Sequence, residues 1–377
     1  MTMDAPAADF DELHRRTLPD RIATPLGAAA SRDVHDAPSL AFRLTDGRAY
    51  RFLPSGASIR IEPGDDAGVV VELVLDAWRD FVGEIATAAG LFYGGRVRFA
   101  RGDEAKLGRW EPALRALLSA RPIFDPERDV ARDPGAFTLE ASDAELRRAL
   151  DDAGFVLVKR VFTRDEVARL ADVVASRQAS ARPGDGRSWW ATMAGGARVL
   201  CRLVYLGLVE RDIAALNDDA RLRRLASLAP EPLRPALDRA DGHSVVIKNP
   251  DVVDGLSDLP WHRDCGLGGH PITCPTINIG LQLDAATAET GRLHIVPGSW
   301  RFSCHRRDLD RAPAVAIDTE PGDCTVHFGD VMHAAPPPTG AGPGRRAIYT
   351  TWMPARAYER IPAGESYNDV ILRRVGG

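Results

Sequence analysis

The sequence contains little lysine and no long apolar run. Only three of its 48 Lys and Arg residues are Lys, and the formal net charge is −5. Without a net positive charge the chain lacks the electrostatic field of a nucleic-acid-binding protein, so we expect no nucleic-acid partner. No stretch approaches the ~18 consecutive apolar residues of a membrane-spanning helix, so we also expect no membrane span.

The cysteines are too few and too scattered to form a disulfide framework. The five cysteines make no CxxC pair, and their number is odd: Cys201, Cys265, Cys274, Cys304 and Cys324. This pattern favours free thiols over a disulfide framework or a cysteine-rich zinc site. Because the acidic N-terminus also lacks the apolar segment of a secretion signal, we expect a cytoplasmic protein.

A length of 377 residues suits two domains, and the pattern of residues suggests where they lie. Residues 1–36 are rich in Ala and Asp and predict a tail with at most one short helix. Residues 37–125 show short alternating strands broken by Asp-Gly and Ser-Gly turns, followed by helical segments, which indicates a small α+β domain. The Pro-rich, charged residues 126–140 predict a linker. Residues 141–377 predict a second domain, helical over 191–230 and rich in strands after that.

Two capping boxes mark the beginning of the second domain. Ser142 precedes Glu145 by three residues, and Thr163 precedes Glu166 in the same way. Each pair can satisfy two free backbone N–H groups at a helix start, so each predicts a helix. The apolar segment FVLVKRVF between them predicts a strand.

The first indication of chemistry is a cluster of histidines. Seven of the nine lie between residues 243 and 333. His262 and Asp264 stand two apart in the segment PWHRD, and on a strand they would share one face about 6.6 Å apart. The motif is weak alone, because about one HxD is expected by chance in such a chain.

A third ligand from a distant strand would complete a set of two His and one carboxylate, which suits Fe(II) and leaves three positions open. His333, at the end of a strand before a Pro-rich turn, is the predicted third ligand, and His327 is its competitor. Arg345 favours His333, because a guanidinium near the metal can bind a carboxylate cosubstrate through two hydrogen bonds. Arg346 points to the opposite strand face, and a solvated strand edge is the alternative for both arginines.

The segment PTINIGLQLD predicts a strand with two unlike faces. Its apolar face carries Ile277, Ile279, Leu281 and Leu283, and its polar face carries Thr276, Asn278, Gly280 and Gln282. The polar face could line a pocket, with Asn278 contacting a cosubstrate, or could simply meet solvent.

In this order the motifs resemble the phytanoyl-CoA dioxygenase family of Fe(II)/2-oxoglutarate oxygenases. The resemblance covers roughly residues 140–356 and rests on four segments: ELRRALDDAGFVLVKRVFTRDEVARL, WHRD, TGRLHIVPGSWR and the ending GD…H…R. It implies a double-stranded β-helix of the jelly-roll or cupin-like kind with a helical layer. It also implies iron ligands at His262, Asp264 and His333, a 2-oxoglutarate arginine at Arg345, and a further cosubstrate contact at Lys248.

The sequence departs from the family pattern at two positions. Trp300 replaces the histidine of the usual PGSH, so His305 is the expected nearby imidazole. Ala335 replaces a common Ser or Thr, which removes one expected hydrogen bond to 2-oxoglutarate. Asp264 is intact, which disfavours a halogenase.

The first domain resembles a sterol-carrier-protein-2 (SCP2) domain in the segments FRLTDGRAYRF, VELVLDAWRDF and GRVRFARGD. That resemblance implies a twisted sheet with helices around an apolar tunnel, and binding of a lipid or acyl group. A structural or dimerisation module is the alternative, so a monomer and a homodimer both remain open.

The implied function is oxidation of a small or lipid-like organic substrate, such as a secondary metabolite, by Fe(II), O2 and 2-oxoglutarate, with release of succinate and CO2. Hydroxylation is expected, and desaturation or ring formation stays open. The alternatives are a non-catalytic lipid-binding protein with a degenerate barrel and a cupin-like Fe(II) enzyme without 2-oxoglutarate. The loops at 181–190 and 265–275 are expected to set specificity.

Overall fold

The computed structural model describes residues 8–255, 258–266, 276–339, 342, 344–361 and 369, with only the backbone described at 306 and 307. Most of the predicted specificity loop 265–275 therefore lies outside the described residues. The chain forms two compact units. The first contains Met1–Pro126 and two later pieces of chain that include Gly266 and Arg301–Arg311, and the second contains most of the remaining residues.

The first unit is a mixed sheet with helices. Its helices are α1 (Phe10–Glu12), α2 (Leu18–Ile22), α3 (Pro25–Asp33), α4 (Leu75–Val82), α5 (Ala88–Tyr93) and α6 (Glu104–Ser119), with a π-helical turn at Leu13–Thr17. Its strands are β1 (Leu40–Leu44), β2 (Ala49–Ser55), β3 (Ser58–Pro63), β4 (Val69–Leu73) and β5 (Val97–Arg101), in the order β3-β2-β1-β4-β5. Strands β1, β2 and β3 form the expected antiparallel meander, and β4 joins β1 in parallel.

The prediction of a tail with at most one short helix is wrong for the described residues 8–36. Helices α1, α2 and α3 occupy much of this segment, and Phe10 is completely buried in the core of the first unit. Its ring lies 4.9 Å from that of Trp78 and 5.5 Å from that of Tyr50. These helices are too short to show a clear apolar period in the sequence. Helices α1 and α3 begin at the caps Asp9 and Thr24, whose side chains accept hydrogen bonds from backbone N–H groups.

The second unit begins with the predicted helices. Helices α7 (Asp143–Ala153) and α8 (Arg164–Ser180) each start at a complete capping box, which confirms that prediction. The later helices are α9 (Arg211–Ala214), α10 (Ala220–Ala226), α11 (Arg306–Leu309, in the piece assigned to the first unit) and α12 (Ala355–Arg360), with 3₁₀ turns at Leu206–Leu208, Ala215–Asn217 and Ser299–Arg301. Among the helices described, none is both long and apolar enough to cross a membrane.

Two sheets make up the rest of this unit. Its strands are β6 (Ala136–Thr138), β7 (Phe155–Lys159), β8 (Ser188–Met193), β9 (Arg198–Leu203), β10 (Arg234–Pro235), β11 (His243–Ile247), β12 (Val252–Asp254), β13 (Leu259–His262), β14 (Ile277–Gln282), β15 (Leu293–Ile295), β16 (Val315–Ile317), β17 (Cys324–Phe328), β18 (His333–Ala335) and β19 (Arg346–Met353). The larger sheet has the order β12-β8-β9-β11-β19-β14-β17-β7-β6, with β10 beside β19, and the smaller has the order β13-β18-β15-β16.

The helical prediction for residues 191–230 is partly wrong, because β8 and β9 form a hairpin there. The segments SWWATM and RVLCRL are rich in aromatic and apolar residues that pack well on a pleated surface, and Gly196, with φ of 80°, closes the turn between them.

Strand β14 separates its two faces as predicted. Ile277, Ile279 and Leu281 lie in the large hydrophobic core of the unit. The opposite face carries Asn278, Gly280 and Gln282. At Gly280 a Cβ would lie 2.7 Å from the hydroxyl of Thr325 and from the Tyr349 ring, so the strands can pack here only with glycine. This polar face meets the candidate site.

Candidate metal centre

The pairing of two short strands brings the distant histidines together. Strand β13 ends at His262, strand β18 begins at His333, and the two residues lie opposite each other in the register. Asp264 follows β13, and its backbone N–H donates to the carbonyl of Gly329 at 2.7 Å. The strand pairing and this hydrogen bond therefore place two imidazoles and one carboxylate at one point.

The three side chains present converging donor atoms. One ligand atom from each of His262, Asp264 and His333 lies within 4.8 Å of the other two. The Nε2 of His262 is 3.7 Å from Asp264 Oδ1, and the Nε2 of His333 is 3.8 Å from Asp264 Oδ2. The spacing is that of atoms that could share one ion but do not bond to one another.

Backbone carbonyls fix the tautomers of both histidines. His262 Nδ1 lies 2.7 Å from the carbonyl of Pro260, and His333 Nδ1 lies 3.0 Å from that of Val331. A carbonyl only accepts, so each Nδ1 carries the proton and each Nε2 keeps a free lone pair. This second hydrogen bond is the one that orients metal-binding histidines in proteins.

The electrostatics suit a bound cation. Burial lowers the pKa of His262 to about 4, helped by the neighbouring His333. Burial also lowers the pKa of His333, against the attraction of Asp264. Burial by itself would raise the pKa of Asp264, but His333, His327 and His262 hold it well below its usual range. At neutral pH the site therefore holds two neutral imidazoles and one carboxylate.

Asn278 contacts Asp264. Its Nδ2 donates to Asp264 Oδ2 at 2.5 Å, and its Oδ1 accepts from the Thr351 hydroxyl at 2.7 Å. Asn278, predicted to contact a cosubstrate, thus holds the carboxylate in place from the polar face of β14.

His327 lies beside the same carboxylate but differs from the other two histidines. Its Nε2 is 3.5 Å from Asp264 Oδ2, and its ring centroid is 4.9 Å from that of His333. Within the described residues neither of its ring nitrogens makes a hydrogen bond, so no carbonyl fixes its tautomer. It also stands outside the group of converging donor atoms. The geometry favours His333 over His327 as the third ligand.

Two buried cations lie side by side near this set. The backbone N–H of Lys248 donates to the carbonyl of Arg345 at 2.8 Å, and both side chains are almost fully buried. Lys248 Nζ donates to the carbonyl of Ala335 at 2.5 Å, two residues from His333. Burial and the charge of Arg345 lower the pKa of Lys248 to about 7.

Arg345 and Arg346 have different surroundings, as their alternation predicts. Arg346 is paired with Asp284 through Nε at 2.8 Å and a second nitrogen at 3.0 Å. Arg345 donates from Nε to the carbonyl of Gly291 at 3.0 Å, and no carboxylate among the described residues pairs with it. With residues that include Gln282 and Tyr349, it lines a small, closely packed pocket.

The expected role of His305 in place of the family histidine stays a prediction. His305 Nε2 lies 2.8 Å from Asp33 Oδ1, and both residues belong to the first unit. Trp300, which replaces the family histidine, packs its ring 5.0 Å from that of Phe328. Sequence reasoning missed the partner of His305 because Asp33 lies in the segment that was expected to be a tail.

Comparisons with known proteins identify the family. The family model for phytanoyl-CoA dioxygenase (PhyH) matches residues 150–347. A comparison with curated proteins gives no match.

Three solved structures show the extent of the structural likeness. EvdMO1 is 26% identical with a TM-score of 0.46, over 57% of this chain and 50% of its own, so the chain spans about half the length of EvdMO1. AviO1 from Streptomyces viridochromogenes Tue57 is 24% identical with a TM-score of 0.47, over 59% of this chain and 98% of its own. EctD from S. alaskensis, solved with 2-oxoglutarate and 5-hydroxyectoine, is 19% identical with a TM-score of 0.48, over 63% of this chain and 83% of its own. Because the family model covers more than half of the residues, the chain belongs to the phytanoyl-CoA dioxygenase (PhyH) family.

Proposed function

We propose that this protein oxidises a small organic substrate with Fe(II), O2 and 2-oxoglutarate, releasing succinate and CO2, and that hydroxylation is the outcome. The observation that carries the proposal is the convergence of His262, Asp264 and His333, with each histidine Nδ1 bound to a backbone carbonyl so that each Nε2 keeps its lone pair. Two nitrogens and one oxygen form the donor set that suits Fe(II) and leaves positions open for other ligands. The residues present therefore fit the metal.

Each side chain has a separate task in this proposal. His262, Asp264 and His333 would hold the iron, which with bound 2-oxoglutarate supplies the chemistry that activates O2. Asn278 keeps Asp264 oriented through its 2.5 Å hydrogen bond. The carbonyls behind the two histidines keep the proton on Nδ1, so that Nε2 stays available.

Arg345 is proposed to bind the distal carboxylate of 2-oxoglutarate. A buried guanidinium that lacks a carboxylate partner is costly unless an anion neutralises it. Lys248 lies beside Arg345, but with its pKa lowered to about 7 it is only partly charged at neutral pH, and its Nζ already donates to the carbonyl of Ala335. Arg346 is excluded from the role because Asp284 satisfies it.

The same proposal extends to architecture. We propose that the larger and smaller sheets of the second unit form a double-stranded β-helix, and that the first unit is an SCP2-type module. The mixed sheet of the first unit, with helices on it, supports the second idea. We also propose a cytoplasmic monomer or homodimer. The four described cysteines form no disulfide with one another, and Cys274 lies outside the described residues.

Iron-dependent conversion of 2-oxoglutarate to succinate is the test. Protein purified without metal, then given Fe(II), 2-oxoglutarate and O2, should form succinate slowly alone and faster with a true substrate, whether small and polar or lipid-like. A lipid-binding protein with a degenerate barrel would form none. An Fe(II) enzyme that does not use 2-oxoglutarate would consume O2 without forming succinate.

A further inference from the structure

Arg202 lies on the sheet face that also carries Lys248. Strand β9 pairs with β11, and Arg202 stands opposite Val246. Residues opposite each other in an antiparallel pair share a face, and Lys248 is two residues beyond Val246 on that face. Lys248 reaches the carbonyl of Ala335, two residues from His333. Arg202 therefore belongs to the metal-facing side of the larger sheet.

An unusual backbone presents the partner of Arg202. The Arg202 guanidinium forms an ion pair with Asp241 Oδ2. Asp241 sits in a run of three left-handed residues, with φ of 47° at Ala240, 71° at Asp241 and 55° at Gly242. Only glycine adopts this region easily, so Ala240 and Asp241 are held there at an energetic cost. Such strain is typical of positions where a side chain must be aimed at a site.

The pair leaves one acceptor and one donor unsatisfied. Asp241 Oδ1 and Arg202 Nε are both buried, and among the described residues neither has a hydrogen-bond partner. Asp241 is only 9% exposed. Buried polar atoms are nearly always satisfied in native proteins, so this acceptor and this donor are available to a polar group of a ligand.

The charge of a proposed metal ligand also reaches the pair. Burial raises the pKa of the Asp241 carboxyl, Arg202 opposes that change, and the negative charge of Asp264 adds to it. This agrees with the strand pairing, which places Arg202 on the metal-facing side of the larger sheet.

We propose that Arg202 and Asp241 bind the substrate, and that they recognise an uncharged hydroxylated group such as one of a polyol or a glycoside. The hydroxyl donates to Asp241 Oδ1 and accepts from Arg202 Nε. The two charges of the pair cancel, so a carboxylate would meet the repulsion of Asp241 and an ammonium that of Arg202. This inference rests on the proposed function and names the substrate class of the same site.

The test is a binding measurement that needs no turnover. Protein loaded with Ni(II) and 2-oxoglutarate is titrated by calorimetry with methyl glycosides and cyclitols, and in parallel with alkyl carboxylates, alkyl amines and decanol. We expect binding within the glycoside and cyclitol group. Arg202→Gln and Asp241→Asn should each weaken that binding about tenfold or more relative to any change in 2-oxoglutarate affinity, because each leaves the hydroxyl without one partner.

Two further variants keep the result interpretable. The double variant Arg202→Gln/Asp241→Asn removes both charges, so it leaves no unpaired buried ion if a single variant folds poorly. Arg356→Gln is the matched control, because Arg356 pairs with Glu231 on the surface, and it should bind the probes like the parent protein.

Binding restricted to carboxylates, amines or decanol, no binding by any glycoside or cyclitol, or unchanged glycoside binding in the double variant would each overturn the inference. Failure of the proposed function would be seen in a different experiment. The Fe(II)-loaded protein would then form no succinate, whatever the calorimetry shows.

Discussion

In the two histidines proposed as ligands, the two ring nitrogens have different roles. In His262 and His333 the Nδ1 is committed to a carbonyl, and the Nε2 faces Asp264. His327 has the same ring and the same carboxylate nearby but no such commitment. The choice between His333 and His327 can therefore be tested by metal content alone.

We expect His262→Ala and His333→Ala to lose iron, because each removes one of three donors and leaves the remaining two too few to hold the ion. His327→Ala should retain iron, since its ring lies outside the converging set. Iron per protein after reconstitution and desalting measures this. Iron retained by His333→Ala and lost by His327→Ala would reverse the assignment.

The two adjacent arginines give a similarly direct comparison. Arg345→Ala should weaken 2-oxoglutarate binding by on the order of 2–5 kcal/mol, because it leaves a buried carboxylate without its partner. Arg346→Ala should change that affinity little, since Arg346 is paired with Asp284. Equilibrium binding of 2-oxoglutarate to both variants decides it, and a loss confined to Arg346→Ala would refute the role of Arg345.

Among the elements, helix α8 depends on the charge of its capping box. Glu166 closes the box with Thr163 and also pairs with Arg221, at 2.8 Å. The hydrogen bond from Arg221, against the opposing effect of burial, lowers the pKa of Glu166 from 4.5 to about 2. Because the folded value is the lower one, the stabilisation is complete above pH 4.5 and disappears as the pH falls through 2.

We expect Glu166→Gln to lower the free energy of unfolding at pH 7 by on the order of 2–3 kcal/mol, and the difference from the parent to shrink below about pH 4. Glutamine can still cap the helix, so the change isolates the charge. Glu145→Gln is the control, because Glu145 closes the other box through Ser142 and feels Arg148 only as a nearby charge, without the arginine hydrogen bond that Glu166 accepts. Denaturant unfolding at several pH values measures both, and an equal pH dependence in the two variants would contradict this explanation.

The helices and strands also show which features of the fold can be predicted from the sequence and which cannot. The capping boxes and the two faces of β14 depend on residues a few positions apart, so local patterns suffice to predict them. The hairpin of β8 and β9 was expected to be helical, because apolar residues alone do not separate a short strand from a helix. Asn278 was predicted to be in the pocket, but its contact with Asp264 depends on how β13 and β14 are placed in space.

The pair of Arg202 and Asp241 could not be predicted at all. Its members are 39 residues apart, one on a strand and one in a left-handed loop, and no spacing rule connects them. In a chain in which nearly all basic residues are Arg, a single arginine carries no signal of its own.

For the whole molecule, the question is whether the first unit can be removed. We predict that a chain starting near residue 135 still forms succinate when given Fe(II), since every residue proposed to bind the metal or 2-oxoglutarate lies beyond residue 240. The structure also predicts that the truncation lowers the stability of the remaining chain. The shortened chain loses Thr87, which donates from its backbone and hydroxyl to the carbonyl of Gly266, and Asp33, which pairs with His305.

The truncation should therefore be soluble and active but melt at a lower temperature than the full chain. Thermal unfolding and succinate formation, measured side by side, test this. An insoluble product, or one that binds iron without forming succinate, would show that the two units act as one catalytic body.

The position of β13 has a consequence for the motions of the protein. This four-residue strand is the outermost in the smaller sheet as described, and it meets β18 at only two aligned positions, one of which joins His262 to His333. Strands at an edge with few ladder bonds open locally at little free-energy cost. An ion held by both histidines and Asp264 would cross-link that edge to its neighbour across a 71-residue stretch of chain. Metal binding would then slow amide hydrogen exchange along β13. The ion would stabilise the pairing of β13 with β18 in addition to its part in the reaction.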